Sequence, residues 1–355
     1  MSGLVGRLRD HVLRVLGVAS RRDVLKVQGQ LEKLLREFSR SADLMERVAG
    51  TPNMISKMER VAQKQNAILE QIQTQLGSHK RGIDGRLRHV ERNIHALIRR
   101  QYLDQSALPF PQRVLSQRFH VLSQNEEDGI TLALAKLAAS SRKRFIELGA
   151  GANGGNSGFL AESCGWVGLM VDGNEARADR LAKRFSRYGV RVASTWITRD
   201  NVNDLVRDHG LAGEVDLLSL DIDGNDYWVW RALDVCSPRI VILEFNPAFG
   251  PERAVTVQYD PAFDRAAFKD VTANFYGASL AAFENLGREK GYRLVMGEPR
   301  GANVYLLRND VAPEIAASPV HAIYPNPGHD PRPLFDLIAK ARLPLVELEA
   351  QLPEA

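Results

Sequence analysis

Two cysteines in 355 residues exclude a disulfide-built scaffold. Cys164 and Cys236 lie far apart, without the paired spacing of a zinc site, which fits a reducing compartment. No apolar run reaches the length of a membrane-spanning helix. The N-terminus lacks both the continuous apolar stretch and the small-residue cleavage site of a secretory signal. A cytoplasmic location is the expectation, with peripheral contact at the inner membrane face as an addition to it. Aromatics are nearly missing from residues 1–105, where only Phe38 and Tyr102 occur, so a compact core is not expected there. Elsewhere the composition is ordinary for a globular protein, 44% hydrophobic and 25% charged, and the length suggests two domains.

The net charge of +4 hides an asymmetry. Residues 1–105 carry 20 Lys/Arg against 11 Asp/Glu, a net of +9, which leaves 27 against 32, a net of −5, for the remainder. Within residues 2–26, Leu4, Leu8, Val12, Val15, Leu16 and Ala19 recur on one helical face among arginines. Such a basic amphipathic helix can lie on an anionic membrane or pack on a partner subunit. From Val27 a four-three alternation runs through Leu31, Leu34, Phe38, Ser41, Met45 and Val48. It breaks at 50–52, resumes at Met54, weakens at the glycines of 77–85 and ends near Leu97. An α-helical coiled coil making a homo-oligomer through residues 27–98 is expected, with a hairpin folded back on the same chain as the alternative. Acids are mixed among the basic residues and aromatics do not interleave, so nucleic acid is not an expected partner. Residues 106–118, with Pro109 and Pro111, read as a linker to a domain over 119–310.

That domain is organised around residues 144–154. Phe145 and Ile146 end a buried strand, Glu147 follows, and Gly149, Gly151 and Gly154 make a tight turn into a helix over 158–163. A backbone without side chains lets a nucleotide approach closely. The glycine spacing fits G-x-G-x-x-G, which dinucleotide sites also use. A carboxylate at Glu147 would repel a pyrophosphate, but it would attract the sulfonium and ammonium of S-adenosylmethionine (SAM). Charge therefore favours SAM, with Glu147, Gly149, Gly151 and Asn153 as cofactor contacts.

Acids recur at the ends of the following strands. Asp172 closes the strand 166–172, 25 residues after Glu147, where Rossmann-type folds hold ribose hydroxyls, and Gly173 turns the chain. The loop 196–201 lies where adenine contacts belong, with Asn201 at its end as a cofactor contact or helix cap. Asp221, Asp223 and Asp226 crown a fourth strand, and Glu244 and Asn246 follow a fifth. Three carboxylates at one strand tip need a cation or donors to balance them. Asp221, Glu244 and Asn246 are candidate Mg²⁺ ligands, and Asp221 or Asp223 is the candidate general base, assisted by Glu244. Ser123 as N-cap and Glu126 at N3 have the spacing of a capping box, opening a helix that continues through Ile130, Leu132, Leu134 and Leu137. Residues 250–276 either cover the substrate or pack on the sheet edge. A helix at 279–290 and a hairpin from 292 to 307 follow. Residues 311–355 hold eight of the sixteen prolines and read as an irregular surface tail with a short helix near 334–341.

The chain resembles the FkbM-type methyltransferases, a SAM-dependent class I family. The resemblance rests on Ser123-Gln-x-x-Glu-Asp128, on Phe145 to Ala150, on Trp166 to Asp172, on Ser219 to Trp228, on Glu244-Phe-Asn246 and on Tyr276 to Leu280. It implies an α/β fold, a Rossmann-like seven-stranded class I methyltransferase domain, here preceded by the coiled coil. It also implies O-methylation of a sugar, polysaccharide or natural-product hydroxyl. The loop 151–156 and the N-terminal region depart from simpler members, so the acceptor does not carry over. The fourth strand lacks the Asn/Asp-Pro-Pro-Tyr run of amino-directed enzymes. A ligand-binding organiser without catalysis, or a nucleic-acid methyltransferase recruited by the basic arm, are the alternatives.

Overall fold

The computed structural model of the chain describes residues 107–300, 303–326 and 328–349, with Gln63 besides. The expected helix over 2–26 and coiled coil over 27–98 lie outside these residues, Gln63 apart. Two helices precede the sheet, α1 (Gln112–Leu115) and α2 (Glu127–Leu137). Helix α2 buries Ile130, Ala133 and Leu134, as the apolar spacing requires. Its start departs from the expected capping box. The Asp128 carboxylate accepts the N–H groups of Val121 and Leu122 at 2.6 and 2.7 Å and that of Ser123 at 3.2 Å. Ser123 Oγ accepts the Asp128 N–H in return, at 3.2 Å. Glu126 occupies the N-cap position without a capping bond and pairs with Arg118 instead. Because the helix begins one residue after Glu126, Asp128 is the carboxylate that reaches back.

The sheet elements alternate from there. They are β1 (Arg144–Leu148), α3 (Gly158–Cys164), β2 (Val167–Asp172), α4 (Glu175–Phe185), β3 (Arg191–Ser194), α5 (Val202–Asp208), β4 (Gly213–Leu220), α6 (Asp226–Ala232) and β5 (Cys236–Glu244). After β6 (Val255–Val257) come α7 (Leu280–Glu289), β7 (Tyr292–Gly297) and β8 (Asn303–Arg308). The chain continues through α8 (Val320–Ile323), α9 (Arg332–Ala341) and β9 (Leu345–Glu347). Seven strands form one sheet in the order β3-β2-β1-β4-β5-β8-β7. All neighbours are parallel except β8, which runs antiparallel to both β5 and β7. This is the strand order of the class I methyltransferase sheet. A dinucleotide-binding sheet continues in parallel instead.

The central strands are apolar on both faces, as a sheet covered on both sides demands. Successive side chains feed two cores. Ile146, Leu148, Leu218 and Leu220 join Val241 and Leu243 on one side. Phe145, Leu217, Ile240 and Ile242 meet α2 and α3 residues on the other. Each such buried side chain contributes about 1.5–3 kcal/mol.

A third cluster joins Phe249, Val255, Val257, Phe263 and Phe275 to Ile338 of α9. The C-terminal residues are therefore less irregular than their prolines suggest. Strand β9 pairs antiparallel with β6, from Val255↔Glu347 to Val257↔Leu345. Cys164 and Cys236 form no disulfide. No described helix is long and apolar enough to cross a membrane.

Candidate active site

The C-terminal ends of β1, β2 and β4 open into a cleft of 660 Å³. Gly149 and Gly151 of the turn, Asp172 and Gly173 after β2, and Asp221 and Asp223 after β4 all line it. Six of the sequence-derived site residues are thus brought together. Gly149 is held between two strand ends. Its N–H donates to Val171 O at 3.0 Å, and the Asp221 N–H donates to Leu148 O at 2.9 Å.

Glu147 sits elsewhere than expected. It is 1% exposed, beneath the turn, and does not line the cleft. Its carboxylate accepts from Ser157 Oγ at 2.5 Å, Ser219 Oγ at 2.9 Å and the Asn156 N–H at 3.2 Å. A side chain on Gly155 would collide with it, since an added Cβ would stand 2.1 Å from Glu147 Oε1. The turn thus folds back over the carboxylate, and Glu147 acts as its internal tie. Burial pushes the Glu147 carboxyl up to about 7, against the pull of its hydrogen bonds to Ser157, Ser219 and Asn156. Unfolded, the group loses its proton near the ordinary value of 4.5. Between these values the folded chain holds a proton that the unfolded chain has released. Stability from this group is therefore full below the lower value and falls as pH rises to the upper one, by about 3 kcal/mol. Glu147→Gln should remove that share of the slope, measured by urea denaturation at pH 5 and pH 8.

Asp172 is 4% exposed. The Asn174 N–H donates to its Oδ1 at 2.8 Å, and Arg177 Nε lies 3.1 Å from the same oxygen. Trp196, more than half exposed, packs across Gly173, where an added Cβ would meet the indole at 2.7 Å. Trp196 and Ile197 line this end of the cleft. Asn201 does not line it. Its Oδ1 accepts from the Thr198 N–H at 2.9 Å, and its Nδ2 donates to Trp196 O at 2.8 Å, so it braces the loop from within. Asn153 also stays outside, donating from Nδ2 to Leu122 O.

At the other end, Asp221, Asp223 and Glu244 bring carboxylate oxygens within 4.8 Å of one another. Asp221 and Glu244 share a side-chain hydrogen bond, and burial followed by neighbouring acids raises both. Asp223 has a left-handed backbone, φ 58°, and accepts from Arg265 Nη1 at 2.6 Å. That guanidinium stacks over the Tyr276 ring at 3.5 Å, and its Nη2 donates to Ala273 O at 3.2 Å. Residues 250–276 thus supply one wall of the cleft as well as packing on their own cluster. Asp226 is no part of the cleft lining. It accepts the N–H groups of Ile222 and Gly224 at 2.8 and 2.9 Å and so shapes the acidic loop. Burial pushes its carboxyl up to about 7.

Asn246 departs from its expected role as a metal ligand. It is 1% exposed. Its Nδ2 donates to Asn274 O and Tyr276 O, at 2.8 and 2.9 Å, and its Oδ1 accepts from the Ala248 N–H at 3.0 Å. With the amide so engaged, Asp223 is the third member of the cluster. Gln124, Arg265 and Lys269 also line the cleft and were not read as site residues from the sequence. Gln124 lies within the Ser123–Asp128 motif, whereas the two cations carry no local signal.

No protein-family model matches the chain, and no curated protein matches it. Among solved structures, it is similar to a Galdieria sulphuraria protein assigned as a sarcosine dimethylglycine methyltransferase, at 13% identity and TM-score 0.32, over 48% of this chain and 62% of that one. It is similar to TnmH at 16% identity and TM-score 0.30, over 62% of this chain and 68% of that one. An O-methyltransferase family protein from Burkholderia thailandensis shares 12% identity at TM-score 0.33, over 82% of this chain and 98% of that one. The chain spans 62% of the length of the first of these. At such identities the likeness concerns the fold alone.

Proposed function

We propose that this chain transfers a methyl group from SAM to a hydroxyl of a sugar, polysaccharide or natural product, as the FkbM-type resemblance implies. The observation that carries this reading is the set of carboxylates at the strand tips. Carboxylates stand at both ends, with Asp172 after β2 and Asp221 and Asp223 after β4. Arg177 pairs with Asp172 and Arg265 with Asp223, and Lys269 lines the cleft as well, so Asp221, which has no ion pair among the described residues, is the carboxylate left to attract a sulfonium. Both contacts to Asp172 converge on Oδ1, so Oδ2 is left to accept from a ribose diol. Trp196 and Ile197 offer apolar surface to an adenine.

In this reading the acceptor oxygen attacks the methyl carbon in line. The C–S bond breaks, its electron pair stays on sulfur, and S-adenosylhomocysteine leaves. Asp221 takes the hydroxyl proton, with Glu244 beside it. Most of the rate comes from holding the two reactants aligned. The three clustered carboxylates also fit a hard divalent cation such as Mg²⁺, held by Asp221, Asp223 and Glu244. A bound cation would lower the pKa of the acceptor hydroxyl.

Calorimetry with SAM and S-adenosylhomocysteine tests the reading. Failure of both to bind at sub-millimolar concentration leaves only the ligand-binding organiser. Labelled-methyl transfer into polysaccharide, lipid and small-molecule fractions then identifies the acceptor pool. Loss of transfer on chelation, restored by Mg²⁺, is expected; full activity in EDTA removes the cation and leaves the methyl transfer. Oligomerisation through residues 27–98 belongs to the same reading, and a monomer in light scattering would favour the hairpin.

A further inference from the structure

The segment preceding α2 is held more firmly than a surface loop needs. The buried Asp128 carboxylate binds the N–H groups of Val121, Leu122 and Ser123. The next carboxylate, Glu127, is fully buried and accepts the Asn125 N–H at 2.7 Å and Asn125 Nδ2 at 3.1 Å. Gly129 lets the helix press against the segment's backbone, since an added Cβ would stand 2.3 Å from Gln117 O. Asn153 Nδ2 bonds Leu122 O and ties the segment to the glycine turn. Both neighbours of Gln124 are thereby fixed by buried carboxylates. Burying a carboxylate is costly, and three or more donors are what make it tolerable. Gln124 itself is exposed, lines the cleft with Gly149, Gly151 and Asp221, and has no hydrogen-bond partner among the described residues.

Resting on the methyltransferase reading, we propose that Gln124 is the residue that recognises the amino-acid end of the cofactor. A primary amide carries two donors and an acceptor. The methionine part of SAM ends in a carboxylate and an ammonium, which need a donor and an acceptor respectively. Asp172, Trp196 and Ile197, assigned above to the ribose and adenine, line the same cleft and leave the amino-acid end to other lining residues. The rigid mounting fixes the amide in advance, so little side-chain and loop entropy is lost when the ligand binds.

The test compares two probes on the full-length chain, S-adenosylhomocysteine and 5′-methylthioadenosine, which lacks the amino-acid end. Hydrogen bonds to charged groups predict that Gln124→Ala weakens S-adenosylhomocysteine by about 10–100-fold. Methylthioadenosine affinity should stay within about twofold, the thiol ether end being untouched by this amide. The melting temperature should not move, because the exposed side chain has no described partner to lose. An equal loss for both probes would overturn the assignment in favour of a merely structural segment, and no loss for either would overturn it outright. If the unaltered chain binds neither probe, the methyltransferase reading fails, and this assignment with it. Binding of both probes by the unaltered chain with no selective loss in the variant refutes Gln124 alone.

Discussion

Asp221→Asn is expected to lower methyl transfer by about 10²–10⁴-fold while leaving the fold as stable as before, or more so. The substitution keeps the shape of the side chain and the backbone bond from the residue 221 N–H to Leu148 O. It removes one of three acids whose oxygens lie within 4.8 Å of one another. Burial and mutual repulsion already raise Asp221 and Glu244 above the usual carboxylate range, so their ionised forms are disfavoured in the fold. An amide at 221 can donate to Glu244 and relieve that repulsion. Activity falls for the opposite reason: an amide cannot take the acceptor proton and is a weak ligand for a hard cation. Asp223→Asn supplies the comparison. Asp223 is exposed and paired with Arg265, and a solvent-screened pair of that kind contributes about 0–1 kcal/mol. Its loss should cost at least about tenfold in rate, through the wall it anchors and through the cation ligand it removes, but less than the loss of the base. Steady-state rates with labelled SAM, set beside thermal melts, check both. A larger loss from Asp223→Asn would transfer the role of base from Asp221 to Asp223.

The strands that carry the site were legible because each is a short apolar run ending in an acid. The strand read at Phe145 and Ile146 is β1, and the acids at 172, 221 and 244 stand at the tips of β2, β4 and β5. A parallel sheet buried on both faces leaves that pattern in any single strand, without knowledge of its neighbours. The roles of individual polar side chains were less legible, because they depend on where the chain goes next. Glu147 reads as a strand-tip acid facing a ligand until Gly155, with φ 55°, folds the turn back onto it. Asn246 reads as a ligand, but the following short turn Pro247–Phe249 takes its Oδ1 as a cap. Arg265 reaches Asp223 across 42 residues, and β9 meets β6 through three residues far along the chain. Neither pairing leaves a periodic signal. At the start of α2, Ser123 reads as the N-cap, but the helix begins at Glu127, three residues beyond that reading, so Glu126 takes the N-cap position and Asp128 exchanges the hydrogen bonds with Ser123. Element type is set by local composition, whereas capping partners depend on an exact boundary.

Gly149→Ala is expected to cost about 4 kcal/mol or more, the range reserved for strain and steric collision together. Gly149 has φ 90°, which an alanine adopts only with strain. An added Cβ would also stand 1.7 Å from Asp221 O and 2.6 Å from Asp221 C. Backbone is the obstacle here, and it cannot swing aside as the end of a flexible side chain would. The two strand ends are locked by Gly149 N–H to Val171 O at 3.0 Å and Asp221 N–H to Leu148 O at 2.9 Å. Relief therefore requires parting β1 from β4 at their tips. Gly151→Ala is the matched control. Its φ of 60° is also left-handed, but an added Cβ meets nothing closer than Asn153 Oδ1 at 3.2 Å. It should cost only the conformational strain, about 1–2 kcal/mol. Urea denaturation of the two full-length variants measures the difference, and equal losses would mean that the turn does not lie against the acidic loop. A domain stabilised by about 5–15 kcal/mol can survive either change. For Gly149→Ala, S-adenosylhomocysteine binding and the transfer rate should then fall together. The glycine turn and the Asp221 loop meet at this backbone contact, and displacing one displaces the other. A variant that kept its transfer rate while losing cofactor affinity would show that the acids hold their places without the turn.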